Sequence, residues 1–273
     1  MKPVLVTGCS SGIGLCIAEG LKAESYRVFV TARQQDDIDK LIQKGFETIQ
    51  LDLTDSNSIQ AAVEYLLNQT DGKLYGLINN AAYGLTGAIE DLDRDALRTQ
   101  FETNVLGTQE LTNLLIPIMR QQGEGRIIQI SSVLGFVTIK FRGAYCASKY
   151  ALESLTDAMR YELSSSGIHI SLIEPGPIKS EFRTNALSNF HKTVDKSKSE
   201  HSDDYVKIEK EMNAENYTVP FTLGPEAVFE KVRHALQSEK PKTRYFVTFP
   251  TYLFALFKRI LPTAVFDKIL MKI

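Results

Sequence analysis

The chain has 273 residues, a length that fits one large α/β domain or two small ones. Its 31 basic and 33 acidic side chains nearly balance, so charge gives no argument for a nucleic-acid partner. Three scattered cysteines and four histidines show no metal-ligand spacing, so we expect neither a disulfide framework nor a metal site.

The sequence shows neither of two common signals for export or membrane insertion. The first residues enter a strand pattern at once, which leaves no room for a signal peptide. No apolar run reaches the ~18 residues that a membrane-spanning helix needs. We therefore expect a cytoplasmic protein.

Short apolar runs alternate with amphipathic stretches over the first two-thirds of the chain. The runs are rich in Val and Ile and nearly continuous in apolar character, which is typical of strands covered on both faces. They cover residues 4–8, 27–32, 46–53, 74–81, 125–132 and 168–176, with a further one at 243–249 and helices between them, as at 12–24 and 95–122. This order predicts an α/β protein with a single-domain Rossmann fold over 1–273, a doubly wound parallel sheet with helices on both faces.

A glycine-rich turn follows the first predicted strand. In VLVTGCSSGIG, residues Gly8, Gly12 and Gly14 lie between that strand and the next helix. A dinucleotide pyrophosphate needs a tight turn, close backbone approach and free N–H groups at a helix N-terminus. Although a purely structural turn is the alternative, the strand–turn–helix context favours a cofactor site.

The end of the second strand discriminates between the two nicotinamide cofactors. An acidic residue there bonds the ribose hydroxyl of NAD, whereas a basic one accommodates the phosphate of NADP. The sequence reads FVTARQ, with Ala32 followed by Arg33, and the acids Asp36 and Asp37 come only later. This pattern favours NADP(H) as the cofactor, with a solvated surface arginine as the alternative.

Five motifs then follow one another in a specific order. They are TGxxxGxG at 7–14, NNAA at 79–82, ISS at 130–132, YCASK at 145–149 and EPGPI at 174–178. Together they resemble the short-chain dehydrogenase/reductase family from residue 2 to about residue 185. The chain looks most similar to the branch of 17β-hydroxysteroid and retinol dehydrogenases, and its C-terminal third to bacterial NADP-dependent aldehyde reductases. One departure is Ala82, where the family usually has glycine; the extra methyl group could shift the adjoining backbone slightly.

The resemblance gives a chemical meaning to Tyr145 and Lys149, which lie one helical turn apart on the same face. Tyr145 is implied to donate the proton, and a neighbouring cation favours its phenolate form. Lys149 would supply that cation and bind the nicotinamide ribose. Ser132 would hold the substrate oxygen, and Asn104 would maintain a water relay towards Lys149.

The resemblance also implies a cofactor-binding set that runs along the chain. Besides Gly8, Gly12, Gly14 and Arg33, the set comprises Ser10, Ser11, Ile13, Asp52, Leu53, Asn80, Tyr145, Lys149, Pro175, Gly176 and Ile178. Cys146, next to Tyr145, has no histidine partner in sequence. We interpret it as a packing residue rather than a nucleophile.

These residues imply an NADP(H)-dependent oxidoreductase that acts on an aldehyde or ketone, or on the matching alcohol, with an apolar substrate. A 3-oxoacyl carrier-protein reductase is an alternative with the same catalytic residues. An alternative of another class is a non-catalytic NADP-binding regulatory protein, although all four catalytic residues are present. The expected assembly is a homo-oligomer, either a dimer or a tetramer.

Two regions in roughly the C-terminal third of the chain depart from the alternation of strands and helices. Residues 179–221 are polar and charged over most of their length, and we predict a substrate lid that packs poorly until ligand binds. Residues 250–273 form an apolar and basic helical extension, which Pro262 divides. This extension either caps the substrate cleft or a subunit interface, which we favour, or contacts a membrane surface.

Overall fold

The computed structural model describes residues 1–213 and 219–272. Its strands are β1 (Pro3–Val6), β2 (Arg27–Ala32), β3 (Glu47–Gln50), β4 (Gly76–Asn79), β5 (Gly125–Ile130), β6 (Ile168–Glu174) and β7 (Arg244–Phe246). They form one sheet in the order β3-β2-β1-β4-β5-β6-β7, and every neighbouring pair is parallel. The predicted doubly wound parallel sheet is thereby confirmed.

The helices lie between these strands and after the last one. They are α1 (Gly12–Ala23), α2 (Gln35–Gln43), α3 (Ser56–Gln69), α4 (Arg94–Phe101), α5 (Thr108–Gln122), α6 (Gly143–Glu162), α7 (Phe182–Thr193), α8 (Ser202–Asn213), α9 (Glu226–Gln237), α10 (Phe249–Ile260) and α11 (Thr263–Leu270). Within the residues that the structure describes, no helix is both long and apolar enough to cross a membrane.

Two apolar clusters cover the opposite faces of the sheet. One joins the strands to α1 and α9, where Ile17, Leu21 and Val232 are fully buried. The other joins them to α3 and α5, where Leu66 and Leu115 are fully buried. Since both faces are covered, the strands can be apolar along their whole length, which explains why they show no alternation.

The direction of winding reverses between β1 and β4, which lie side by side. Strands β2 and β3 extend the sheet on one side of this pair, and β5, β6 and β7 extend it on the other. In such sheets ligands bind beyond the carboxyl ends of the strands at the reversal. The glycine turn after β1 and the asparagines that end β4 therefore meet at this edge.

The long helix predicted at 95–122 is interrupted. A π-helical segment, Glu102–Gly107, separates α4 from α5 and contains Asn104. At Gly107 a Cβ atom would lie 1.8 Å from the carbonyl oxygen of Leu53, so only glycine permits this approach. Single π-turns of this kind frequently mark functional sites.

The lid region is better packed than its composition suggests. Phe190 and Tyr205, on α7 and α8, are fully buried in a third apolar cluster with Leu85. The Tyr205 hydroxyl accepts a hydrogen bond of 2.8 Å from the Ala88 amide and donates one to Asp91. The expectation of poor packing is therefore wrong for 182–212, because a few large side chains suffice to anchor two polar helices. Residues 214–218 lie outside the described residues.

Candidate active site

The turn after β1 has no room for a side chain at two of its glycines. Gly8 has φ +69°, and a Cβ there would lie 2.7 Å from the Ala81 Cα. A Cβ on Gly14 would lie 2.2 Å from the Gly8 carbonyl oxygen. Glycine is thus required at both positions, by conformation and by close backbone contact.

Helix α1 begins at the same turn, and its start is not closed by a side chain. Ser11 is the N-cap residue, and its hydroxyl makes no capping hydrogen bond. Ser10 is exposed, while Gly12 and Ile13 are half-buried in the first turn. Backbone N–H groups, hydroxyls and the positive end of a helix dipole make this cradle fit a pyrophosphate.

Thr7 and Asn80 hold the turn against the end of β4. The Thr7 hydroxyl accepts hydrogen bonds of 3.0 Å from the amides of Asn80 and Ala81. The Asn80 side-chain amide donates to the carbonyls of Thr7 and Gly8, each at 2.9 Å. Asn80 therefore positions the turn, and Thr7 is a supporting residue that the sequence analysis missed. The only available indication was its place before Gly8.

The end of β2 presents a cation at this edge of the sheet. Ala32 is buried, and Arg33 is exposed with its carbonyl bonded to Gln50. Burial raises the pKa of the Tyr83 phenol, and a hydrogen bond with Thr193 and the nearby charge of Arg33 oppose that shift. Asp52 accepts hydrogen bonds from the amide and hydroxyl of Thr54 through one oxygen, and buried Leu53 follows it. A basic group beside the ribose position suits a phosphate.

Asn104 connects the π-helical segment to both neighbouring elements. Its side chain accepts a 2.7 Å hydrogen bond from the Tyr83 amide and donates to the Tyr83 carbonyl at 3.0 Å. It also donates to the Ser148 hydroxyl at 3.0 Å, and that hydroxyl donates to the Tyr145 carbonyl at 2.8 Å. Asn104 is therefore tied to the helix that carries Tyr145 and Lys149, through Ser148 rather than by direct contact with Lys149.

Ser132, Tyr145 and Lys149 come together beyond the carboxyl end of β5. The Ser132 hydroxyl interacts with the phenol of Tyr145 and accepts a hydrogen bond of 3.1 Å from the Leu134 amide. The Lys149 Nζ atom lies 5.8 Å from the centroid of the Tyr145 ring and donates to the Ile130 carbonyl at 2.7 Å. Tyr145 and Lys149 share one face of α6, as their spacing predicts.

Burial shifts the pKa values of Tyr145 and Lys149 in opposite directions. Burial raises the pKa of the Tyr145 phenol above its ordinary value, and the Ser132 hydroxyl opposes that shift. Burial also lowers the pKa of Lys149 to about 8, with the Glu153 carboxylate opposing. The phenol is therefore protonated at neutral pH, which suits a proton donor, and the lysine remains mostly charged. Burial also raises the pKa of the Cys146 thiol, which suits a packing residue.

The segment after β6 lies at the same edge of the sheet as Ser132. The Pro175 carbonyl accepts a 2.8 Å hydrogen bond from the Val133 amide, which ties this segment to Ser132. A Cβ on Gly176 would lie 2.1 Å from the Thr248 hydroxyl. Ile178 pairs with Leu223, so the chain that leaves the edge for the lid returns beside it.

One aromatic side chain packs against Tyr145, and a second aromatic group joins the segment after β5 to β7 and α10. The Phe182 ring lies 5.3 Å from the Tyr145 ring, and a Cβ on Gly84 would meet that phenylalanine at 2.5 Å. Phe136 contacts Phe246 at 5.9 Å, and Phe246 contacts Tyr252 on α10 at 5.3 Å. The sequence analysis did not single out these aromatic residues, because their positions depend on how the lid and the tail fold back.

A buried ionic cluster lies beneath Lys149. The guanidinium of Arg244, on β7, bonds Glu153, Glu174 at 2.7 Å and Asp157 at 2.7 Å. Glu153 lies one turn after Lys149 on α6, and Glu174 ends β6. Burial and the Glu153 charge raise the pKa of Glu174 to about 8, although Arg244 opposes the shift. Glu153 follows YCASK at helical spacing, but its partners on β6 and β7 appear only in the fold.

We expect stability to depend on pH through Glu174. Between its ordinary pKa and about 8, the native state holds a proton that the unfolded state has released. Stability therefore falls as pH rises through that window, by up to about 1.4 kcal/mol per unit. Glu174→Gln should remove this contribution. Urea unfolding of both proteins between pH ~5 and ~8 checks it, and parallel stability curves would show that Glu174 is ionised throughout.

Over 1–213 and 219–272, the structure shows no group of three or more histidine, cysteine or acidic side chains that could hold a metal ion. The glycine turn after β1 and the side chains of Ser132, Tyr145 and Lys149 lie at the same edge of the sheet, beyond the carboxyl ends of the strands.

The chain is similar in sequence and in structure to known proteins. A family model described as short chain dehydrogenase matches residues 2–190. The uncharacterized oxidoreductase YbbO of Escherichia coli is 44% identical over 98% of this chain and 94% of its own length. Human 17-beta-hydroxysteroid dehydrogenase type 1 is 35% identical over 90% of this chain and 77% of its own.

Two further proteins are similar and carry a cofactor in their names. The NADPH-dependent 3-dehydrocapnine reductase of Ornithobacterium rhinotracheale is 34% identical over the whole of this chain and 97% of its own length. The crystal structure of an actinorhodin polyketide ketoreductase variant with NADPH has a TM-score of 0.74 and 27% identity, covering 90% of this chain and 95% of its own.

Proposed function

This chain belongs to the short-chain dehydrogenase family of oxidoreductases, and we propose that it reduces an apolar aldehyde or ketone with NADPH or oxidises the matching alcohol. The observation that carries the proposal is the convergence of Ser132, Tyr145 and Lys149 beside the glycine turn. When bound there, the cofactor supplies or accepts the hydride.

The side chains have separate tasks in this reaction. Ser132 and Tyr145 bind the substrate oxygen together, because their hydroxyls already interact. Tyr145 donates its proton to that oxygen during reduction, and burial keeps the phenol protonated at neutral pH before the transfer. Lys149 stabilises the phenolate that remains, through its charge. Asn104 and Ser148 keep α6 in place.

The choice of NADP(H) rests on Arg33. The β2 strand ends in Ala32, and an exposed guanidinium follows it. Arg33 also lies near Tyr83, on the loop after β4, so it faces the cofactor edge. Two similar proteins carry NADPH in their names, which is in line with this choice.

The cofactor preference gives a direct test. The double variant Ala32→Asp/Arg33→Ala should shift preference from NADPH towards NADH, because a hydrogen bond to a charged group contributes roughly 1.5–3 kcal/mol, or about 10- to 150-fold. The ratio of kcat/KM for the two cofactors measures it. Arg33→Lys, which keeps the cation, should retain most of the preference for NADPH. An unchanged ratio in the double variant would show that Arg33 does not bind the phosphate.

The apolar character of the substrate rests on the aromatic side chains near Tyr145. Phe182 covers one side of its ring, and Phe136 and Phe246 lie towards α10. Small-molecule sites lined mainly by apolar and aromatic side chains bind their ligands chiefly through apolar contact, with few polar groups to orient them. Rates for a series of aldehydes and ketones of increasing length test this point. We expect kcat/KM to rise with the length of the apolar chain.

A further inference from the structure

Helix α10 turns an apolar face outwards. Phe249, Tyr252, Leu256 and Ile260 are 58%, 52%, 53% and 60% exposed. Their spacing of three and four residues places them on one side of the helix. We call these four residues the tail face. Ordinary surface helices show the reverse arrangement, with apolar residues towards the core.

The opposite side of α10 is fixed to the rest of the molecule. Thr251 is fully buried and lies 3.0 Å from the Thr248 hydroxyl, next to Gly176. The Lys258 ammonium, on the same side as Thr251, donates to the Phe136 carbonyl at 2.5 Å and the Tyr150 hydroxyl at 3.0 Å. These contacts determine the rotation of the helix, so the tail face is a preformed surface.

The apolar surface extends beyond α10. Phe221 is 60% exposed, and its ring lies 5.2 Å from that of Phe249. On α11, Phe266 is buried against Phe254, which leaves Val265 and Met271 exposed. Exposed apolar side chains that cluster on one helix and touch a neighbouring exposed ring mark an interaction site rather than a set of single surface hydrophobes.

Basic residues accompany this surface. Arg259, Lys268 and Lys272 are exposed, and Asp267 is the single acidic residue in 249–272. Apolar and aromatic side chains with cations around them are the features of helices that lie in the interface of an anionic bilayer. We propose that the tail face docks on the surface of an anionic phospholipid membrane, with α10 parallel to it.

Charge favours a membrane over a second copy of the chain. A twofold contact through the tail face would bring the same basic residues of both copies towards one another, because such a contact pairs a surface with itself. Anionic headgroups instead complement these residues. The docking does not depend on the proposed reaction, since it uses none of the catalytic side chains.

Vesicle binding by the full chain tests the proposal. The protein is mixed with vesicles of phosphatidylcholine and phosphatidylglycerol, or of phosphatidylcholine alone, and binding is measured by flotation. We expect binding to the anionic vesicles that weakens as salt rises. The double variant Leu256→Glu/Ile260→Glu should bind at least about tenfold more weakly, because it removes apolar contact and adds repulsion. Circular dichroism checks that it folds.

A matched control uses an apolar residue of similar exposure elsewhere. Ile42, on α2, is 55% exposed, and Ile42→Glu should bind vesicles like the wild type. Equal binding by the Leu256/Ile260 variant and the wild type would overturn the proposal, as would no binding by the wild type. Binding of equal strength to both kinds of vesicle would overturn the role of the charges. If the Leu256/Ile260 variant differed from the wild type only in its oligomeric mass in solution, and not in vesicle binding, the tail face would be a subunit contact.

Discussion

Tyr145→Phe should lose most of its turnover while it keeps its affinity for NADPH. The substitution removes only the hydroxyl, which interacts with Ser132 and carries the exchangeable proton. Proton transfer by a positioned side chain typically contributes about 10²–10⁴-fold in rate, so kcat should fall by that factor. Steady-state kinetics with an apolar aldehyde gives kcat, and fluorescence titration gives the Kd for NADPH.

The control for this variant is Tyr161→Phe. Tyr161 lies on the same helix and is 65% exposed, so loss of its hydroxyl should leave kcat unchanged. If Tyr145→Phe instead turned over at nearly the wild-type rate, Tyr145 would not be the proton donor. A large loss of NADPH affinity would mean that the phenol acts in binding.

Lys149→Ala should damage both turnover and cofactor binding. The ammonium is buried, donates to the Ile130 carbonyl and lies near the Tyr145 ring, so its removal takes away a charge that stabilises the phenolate. Hydrogen bonds to charged groups contribute roughly 1.5–3 kcal/mol, which corresponds to a Kd about 10- to 150-fold higher if Lys149 binds the ribose. Isothermal titration with NADPH measures this change, alongside kcat.

The comparison of Lys149→Ala with Tyr145→Phe separates the two roles. Only the lysine variant should change the Kd for NADPH, whereas both should lower kcat. The exposed Lys73, substituted by alanine, should change neither quantity. An unchanged Kd in Lys149→Ala would limit the lysine to electrostatic support of Tyr145.

Much of the fold follows from local sequence patterns. Val-rich apolar runs such as 4–8 and 27–32 mark strands that are covered on both sides, and the amphipathic stretches between the runs mark the crossover helices. The π-helical segment could not be predicted, because 95–122 is helical in pattern throughout. The segment ends at Gly107, which lies against the Leu53 carbonyl, and local sequence does not indicate this contact.

The site was largely predictable because its residues occur in short motifs at strand ends. Parallel strands bring their carboxyl ends to one edge, so Gly8, Asn80, Ser132 and Gly176 meet there. Their catalytic and binding roles stay predictions that the variants test. Ala82 has no positive φ, so its backbone does not need the glycine that the resemblance led us to expect.

The less predictable features depend on long-range contacts. Arg244 reaches Glu153 and Glu174 across β6 and α6, and neither spacing nor composition indicates that meeting. The buried Tyr205 similarly links α8 to Asp91, more than a hundred residues away in sequence. Residues 179–221 therefore look like a loose polar segment in sequence, although two helices pack within them in the fold.

The transfer of deuterium to a carbonyl substrate tests the central claim most directly. NADPH labelled at the transferable position of the nicotinamide, in each of its two configurations, is incubated with the protein and an apolar aldehyde, and the alcohol is analysed by mass spectrometry. We predict one deuterium in the alcohol from one of the two labelled cofactors, and a rate at least about a hundredfold lower with Tyr145→Phe. An alcohol without deuterium from either cofactor, or no alcohol across the aldehyde and ketone series, would contradict the account.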